Sequence, residues 1–331
     1  MFRPNKKVKI FFNYVLGPLL GAWLFYSLYK QIRGQPDLNK SIELIKTAPF
    51  GPDGWKLWVV VLLVFINWGL EARKWQQLVR LVQDISFSDA FKGVLAGVAL
   101  SLNTPNRIGE YGGRILYVEE GKRIQAISLS IAGSISQLIL TVLAGCVGVI
   151  FLIATHHNEE FIKGLSLFWI KILLIISVTA GVFLLLFYFR LSVIIRIIER
   201  LPFFSKYSGY INIVEQFSSK LLLRLLSLSF FRYFTFVLQY ILLLQVLNVQ
   251  VTMAEGLGVI STLFLIMAIV PSFAIADLGI RGAFSLTLLH LYSNNNVGII
   301  GTTFGIWFLN LFLPAITGSF LILGTRIFKD K

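Results

Sequence analysis

An all-α polytopic membrane protein is the fold class the sequence predicts, with about six full spans and two oppositely oriented re-entrant helical hairpins in an inverted repeat. Three observations lead there. Of 331 residues, 56% are hydrophobic and only 14% charged, and the mean hydropathy is +0.78, far too apolar for a soluble domain of this length. Apolar stretches long enough to cross a bilayer recur along the chain. Two further stretches are cut short by polar segments: Pro105-Asn106-Arg107-Ile108-Gly109-Glu110-Tyr111-Gly112-Gly113-Arg114, and Pro271-Ser272-Phe273-Ala274-Ile275-Ala276-Asp277-Leu278-Gly279-Ile280-Arg281-Gly282. Irregular, charged backbone at membrane depth survives only where protein buries it or a wet cavity adjoins it. A pair of such breaks in corresponding halves points to a transport site.

The elements follow in order. Basic sequence over 1–9 leads into an apolar run over 10–29 that lacks a small-x-small cleavage site and is followed by Lys30 and Arg33; it reads as an uncleaved first span with a cytoplasmic N-terminus. Further crossings are expected at 57–78, 125–154, 166–189, 225–247 and 297–325. The hairpins pair 89–104 with 107–121 and 254–270 with 277–292. The whole of 1–331 is one integral membrane unit, with inverted halves over 1–154 and 166–325. Arg190, Arg196, Arg200, Lys206, Lys220 and Arg224 crowd one loop, whereas 155–165 holds only Lys163. Basic loops face the cytoplasm, so this loop, the N-terminus and the C-terminus are placed inside, in a bacterial cytoplasmic membrane. The loop over 30–56, with Lys30, Arg33, Lys40, Lys46 and Lys56, runs against this pattern, moderated by Asp37, Glu43 and Asp53. Within 190–224, apolar residues at helical spacing (Val193, Ile194, Ile197, Ile198, Leu201; then Tyr210, Ile211, Val214, Phe217, Leu221) predict two interfacial helices separated by Pro202.

Several function classes recede on composition alone. Lys and Arg outnumber Asp and Glu by 30 to 16, but the excess falls in short loops, so no nucleic-acid partner is predicted. Cys146 is the single cysteine and has no intramolecular partner. His156, His157, Glu159 and Glu160 share a short loop and read as a solvated turn, so no metal site is predicted. No Gly-rich nucleotide loop and no Ser, His and Asp set in a common polar context occurs. No cofactor is expected.

The two breaks carry the candidate chemistry. Glu110 stands three residues after Arg107 and four before Arg114, so on a helix the three share a face and can pair, with one cation left over. A charge at the bilayer centre costs roughly 2.5–3.5 kcal/mol, and a surplus cation there invites an anion. Arginine suits phosphate through its planar fork of donors. A helical limb starting near Pro105, capped by Thr104 or Asn103, would aim its amides at the same place. In the second break, Asp277 precedes Arg281 by four residues, the favourable order for a helix pair; Asp277 serves equally well as an N-cap. Pro105, Gly109, Pro271 and Gly279 shape the hairpins, and Gly112, Gly113 and Gly282 join the glycines in allowing close backbone approach. Arg232 lies in an apolar span without a sequence-local acid. It must pair across the bundle or snorkel, and its position about two turns from Arg224 favours snorkelling. Glu71 and Arg73, beside Lys74 and Trp75 at the inner end of the second span, read as an interface anchor rather than a site, and Trp55 and Trp58 as belt residues. The structural alternative for both breaks is that their charges only hold the hairpin tips together.

With Trp68-x-x-Glu71-x-Arg73-Lys74-Trp75, Pro105-x-Arg107-x-Gly109-Glu110, Leu278-Gly279-Ile280-Arg281 and Pro314-x-x-x-Gly318 in place, nearly the whole chain resembles the integral membrane domain of lysylphosphatidylglycerol synthase, a flippase-like group. The resemblance implies two opposed re-entrant hairpins and movement of modified phospholipids between leaflets. It departs from the group twice: the family's arginine three residues after the glutamate is displaced here to Arg114, and Gly282 replaces a frequent glutamate. The soluble aminoacyltransferase domain has no counterpart. The expected function is therefore a lipid translocase, not an enzyme, acting on a phospholipid or polyprenyl-phosphate lipid, with Arg107, Arg114, Arg281 and Arg232 on the substrate and Glu110 and Asp277 tuning or releasing it. The alternative is an integral membrane enzyme or scaffold in lipid-linked envelope glycan or lipid modification. A homodimer is compatible with the sequence, although no isolated small-xxx-small face marks its interface.

Overall fold

The computed structural model describes residues 39, 43, 46–51, 53–102, 104, 107–156, 166–190, 213, 217–270 and 274–324, with the backbone alone for 48 and 274–277. The expected first span, most of the expected interfacial helices, His157, Glu159, Glu160, Pro105 and Pro271 lie outside the described residues.

Among the described residues the architecture is helical throughout. The order is α1 (Gly54–Val79), α2 (Phe87–Ser101), α3 (Gly109–Arg114), α4 (Arg123–Thr155), α5 (Leu167–Phe189), α6 (Ser219–Val246), α7 (Met253–Ile269), α8 (Ala274–Leu289), α9 (Asn296–Trp307) and α10 (Leu313–Gly324). A π-helical segment, Phe308–Phe312, joins α9 to α10. Pro314 follows it and brings no N–H, which is a standard setting for a disturbed helical ladder. Five stretches are long and apolar enough to cross a membrane: α1, α4 with the turn before it, α5, α6, and α9 through α10. These match five of the six expected crossings to within a few residues at most boundaries. At α6 the helix begins six residues early, because the Ser218 hydroxyl accepts from the Leu221 N–H at 3.2 Å and caps it. Residues 219–224 are thus the first turns of a span rather than the end of an interfacial helix.

Local chemistry sets the other ends. Ser86 caps α2 through the Asp89 N–H at 3.0 Å. Thr252 and Glu255 form a reciprocal capping box on α7. The Asn295 side chain accepts from the Gly298 N–H at 2.9 Å and donates to the Leu247 carbonyl at 3.0 Å, tying the start of α9 to the end of α6.

Helices α2 and α3, the two sides of the first break, pack against each other. A Cβ at Gly113 would collide with the backbone of Ala96 and Gly97, one at Gly109 with the Leu100 carbonyl, and one at Gly97 with the Glu110 carbonyl at 2.7 Å. Such small-residue seams let helices approach closely where lipid supplies no hydrophobic drive. The second limb is shorter than expected. Helix α3 stops at Arg114, a 3₁₀ turn covers Ile115–Tyr117, and the chain is extended at Val118 before α4 begins. Helices α7 and α8 are two short apolar limbs joined at 270–273. Helix α7 packs on α4 along another small-residue seam, Gly145 under Leu265 and Gly148 facing the Gly258 carbonyl. No described atom lies within 4 Å of where a Cβ would stand at Gly279 or Gly282. Among the described residues no helix packs closely on these two glycines, and the backbone beside them stays open to a headgroup.

Candidate functional site: a cationic cavity between the hairpins

Helix α1 carries Asn67, Trp68, Glu71, Lys74, Trp75 and Leu78 at spacings of three and four, and all six are buried. This stripe faces the bundle interior. Glu71, 4% exposed, is its centre. Its Oε1 accepts from Arg114 Nη2 at 2.7 Å, while Oε2 lies 2.9 Å from Lys74 Nζ and 3.4 Å from Arg232 Nε. Arg114 also pairs with Glu110, one turn earlier on α3. Lys74 reaches Ser229 Oγ at 3.4 Å, and Ser229 Oγ is 2.8 Å from Ser136 Oγ. One buried carboxylate thus joins α1, α3 and α6.

Two readings made from sequence alone are corrected here. Glu71 and Lys74 are not an interface anchor: the α1 stripe turns them inward, and the arginine of the first hairpin closes on Glu71. Trp75 is wholly buried, with its indole N–H on Ser130 Oγ at 3.1 Å. Arg232 does not snorkel. It crosses to Glu71, donates to Gln137 Oε1 at 3.2 Å, and lies over the Trp68 ring at 5.5 Å from its centroid. A carboxylate and a π face within the bundle outweigh a stretched path to the interface. The signal that could have found Glu71 was the unbroken three-four spacing of its stripe.

The first hairpin tip also departs from expectation. Helix α3 starts at Gly109, not near Pro105, and the Gly109 N–H is taken by Thr104 Oγ1 at 2.7 Å. The residue at the cap position is Ile108, which makes no side-chain cap, so the expected capping by Thr104 or Asn103 is not what is seen; Thr104 takes only the first helical N–H. Arg107 just before it has φ of 60°, a left-handed conformation rarely adopted by a residue with a side chain.

Beside the charge cluster lies a cavity of about 270 Å³. Asn67 and Trp68 of α1, Arg107 of the first hairpin tip, Gln137 and Thr141 of α4, and Arg232, Tyr233 and Phe236 of α6 line it. The remainder comes from Phe264, Met267 and Ala268 of α7, Arg281 of α8, and Asn310 and Leu311 of the π segment. Arginines from both sequence breaks therefore meet at one cavity, with Arg232 between them. Arg114, 2% exposed, stands behind the wall in the ion-pair cluster, and Glu110 is partly exposed beside it. The Asp277 side chain lies outside the described residues.

Helix α8 is held in place one turn beyond Arg281, where Ser285 Oγ is 3.0 Å from the Tyr240 hydroxyl, itself 2.9 Å from Thr303 Oγ1. On the opposite wall Asn67 Nδ2 donates to Asn310 Oδ1 at 3.1 Å.

The family model of the lysylphosphatidylglycerol synthase TM region matches residues 14–318. The chain belongs to this family. No curated protein and no solved structure matches it. Membership and the five long apolar helices make it a multi-pass membrane protein of a lipid-related family. The match runs across both sequence breaks, and every residue lining the cavity lies within the matched range.

Proposed function

We propose that the chain is a lipid translocase, a carrier and not an enzyme, that moves a phosphate-bearing headgroup between the leaflets of a bacterial cytoplasmic membrane. The observation that carries this reading is the convergence of Arg107, Arg281 and Arg232 on one cavity from two hairpins and a span. Each arginine offers a planar fork of donors suited to phosphate oxygens. Arg114 and Glu110, set behind the wall, act as positioning residues: Arg114 holds α3 to α1, and Glu110 keeps Arg114 oriented. In this reading the hairpins are re-entrant, their tips meet near the bilayer midplane from opposite faces in an inverted repeat, and rocking of the halves exposes the cavity to each leaflet in turn. Asp277, four residues before Arg281, releases the phosphate by competing for that guanidinium. Both termini are cytoplasmic.

The test is leaflet translocation of headgroup-labelled zwitterionic, anionic and polyprenyl-phosphate lipids in proteoliposomes, comparing wild type with Arg107→Gln and Arg281→Gln. Transport of a phosphate-bearing class is expected to fall at least about tenfold in each variant, as loss of a charge-assisted hydrogen bond of about 1.5–3 kcal/mol implies. Full transport with both arginines replaced in a folded protein would remove the basis of the assignment.

A further inference from the structure

The arginines are not the only polar groups at the cavity: Asn67, Trp68 and Asn310 line it as well. Asn67 and Asn310, 0% and 1% exposed, bond to each other through one atom apiece. That leaves Asn67 Oδ1, an acceptor, and Asn310 Nδ2, a donor, without a hydrogen-bond partner among the described residues. Trp68, whose ring centroid lies 5.5 Å from the Arg232 guanidinium, is 4% exposed, and its indole N–H is likewise unpartnered among the described residues. All three residues line the cavity. An unmade hydrogen bond on a buried polar group costs about 1–3 kcal/mol. The three atoms have less than 1 Å² of accessible surface each, so a ligand hydroxyl completes them only by turning these cavity-lining side chains toward it, and it gains that energy when it does. A hydroxyl, donor and acceptor at once, matches an acceptor beside a donor; an ammonium has donors only and could satisfy neither Asn310 Nδ2 nor the indole N–H.

Charge argues the same way. Lys74, Arg107, Arg114 and Arg232 are four cations gathered around two carboxylates, Glu71 and Glu110. Among the described residues the cations of this cluster outnumber its carboxylates, a balance that favours an anionic group over an amino group. No carboxylate lines the cavity among the described residues. Its volume of about 270 Å³ lies just under the usual range of roughly 300–1,000 Å³ for small-molecule sites, which suits a headgroup and not a whole lipid.

Resting on the translocase reading, we infer that the headgroup is a phosphodiester bearing hydroxyl groups, a polyol or a sugar, and lacking an amino group. Arginines hold the phosphate, and the Asn67, Asn310 and Trp68 wall reads the hydroxyls. Recognition of an aminoacylated headgroup, the chemistry in the family's name, is thereby disfavoured in this chain.

The test is binding to the full chain in detergent, by calorimetry, of dioctanoyl phosphatidylglycerol, phosphatidylinositol, phosphatidylpropanol, phosphatidylethanolamine and lysylphosphatidylglycerol. Phosphatidylpropanol matches phosphatidylglycerol in size and charge but has no headgroup hydroxyl. We expect phosphatidylglycerol or phosphatidylinositol, whichever of polyol and ring fits, to bind at least about tenfold more tightly than phosphatidylpropanol, since one unsatisfied buried group is worth that much. Asn67→Leu/Asn310→Leu is expected to erase the difference between the hydroxylated lipid and phosphatidylpropanol, and a difference that persists in the folded variant would overturn the assignment of these two side chains. Equal wild-type binding of the hydroxylated lipids and phosphatidylpropanol would overturn the hydroxyl inference while leaving the phosphate reading intact. Tighter binding of either amine-bearing lipid would overturn it as well. Phosphate-lipid binding that is indifferent to Arg107→Gln and Arg281→Gln would instead undo the translocase site on which it rests.

Discussion

Replacing Glu71 by Gln tests the electrostatic logic of the site most directly. The change keeps the side chain's size but presents a neutral amide to Arg114, Lys74 and Arg232, whose nearest nitrogens stand 2.7, 2.9 and 3.4 Å from its carboxylate oxygens. Arg114 and Lys74 are each 2% exposed, so neither can recover hydration in place; Arg232 is 20% exposed and can in part. Removing one partner of a buried ion pair costs about 3–5 kcal/mol. Glu110 still holds Arg114, which places the expected loss near about 3 kcal/mol, at the lower end of that range. At about 2 °C per kcal/mol for a chain of this size, the melting temperature should fall by about 6 °C. The assay is thermal unfolding of the detergent-purified protein followed by tryptophan fluorescence. Lys92→Gln serves as the control: its pair with Asp89 spans 3.5 Å with side chains 43% and 49% exposed, and an exposed pair contributes at most about 1 kcal/mol, or about 2 °C. In Glu71→Gln/Lys74→Met an apolar side chain replaces the nearest stranded cation, and part of the loss should return. If Glu71→Gln melts no lower than the control, Glu71 is not the buried counter-charge of the site and the reasoning fails.

Two further outcomes follow from particular contacts. Arg232→Lys keeps the charge but loses the fork that reaches Glu71 and Gln137 together while lying over Trp68; affinity for phosphate lipids should drop at least about fivefold, and an unchanged affinity would show that charge alone suffices. Gly113→Ala forces a Cβ into the Ala96 and Gly97 backbone and should destabilise by at least about 1–3 kcal/mol, whereas Gly279→Ala meets open space in a helix and should be neutral or stabilising by up to about 1 kcal/mol. Parallel melts of the two variants decide this, and equal losses would contradict the hairpin packing described.

Much of the fold was legible in the chain because hydropathy is additive along the sequence: a run such as 167–189 is apolar whatever it packs against, and only a helix satisfies its backbone in lipid. The polar breaks were legible for the same reason, as were Arg107 and Arg281, which lie in them; the cap of the limb was not, because the helix starts four residues beyond Pro105 and is flanked by Ile108. Interruption of the second limb after Arg114 was not legible, because the apolar residues that follow fit a helix as well as they fit a 3₁₀ turn.

What the sequence by itself determined is the membrane class, the positions of five long apolar spans, the family and the location of both breaks, all of which depend on local composition and spacing. Only the tertiary structure decided which charges neutralise which. Glu71 and Arg114 are 43 residues apart, and Arg232 lies far along the chain from both, so their pairing depends on how α1, α3 and α6 pack. The same holds for Asn67 and Asn310, 243 residues apart yet 3.1 Å across one wall. Coulomb and hydrogen-bond energies fall with distance in space and not with distance along the chain, so the cavity that brings the two breaks together exists only in the folded bundle.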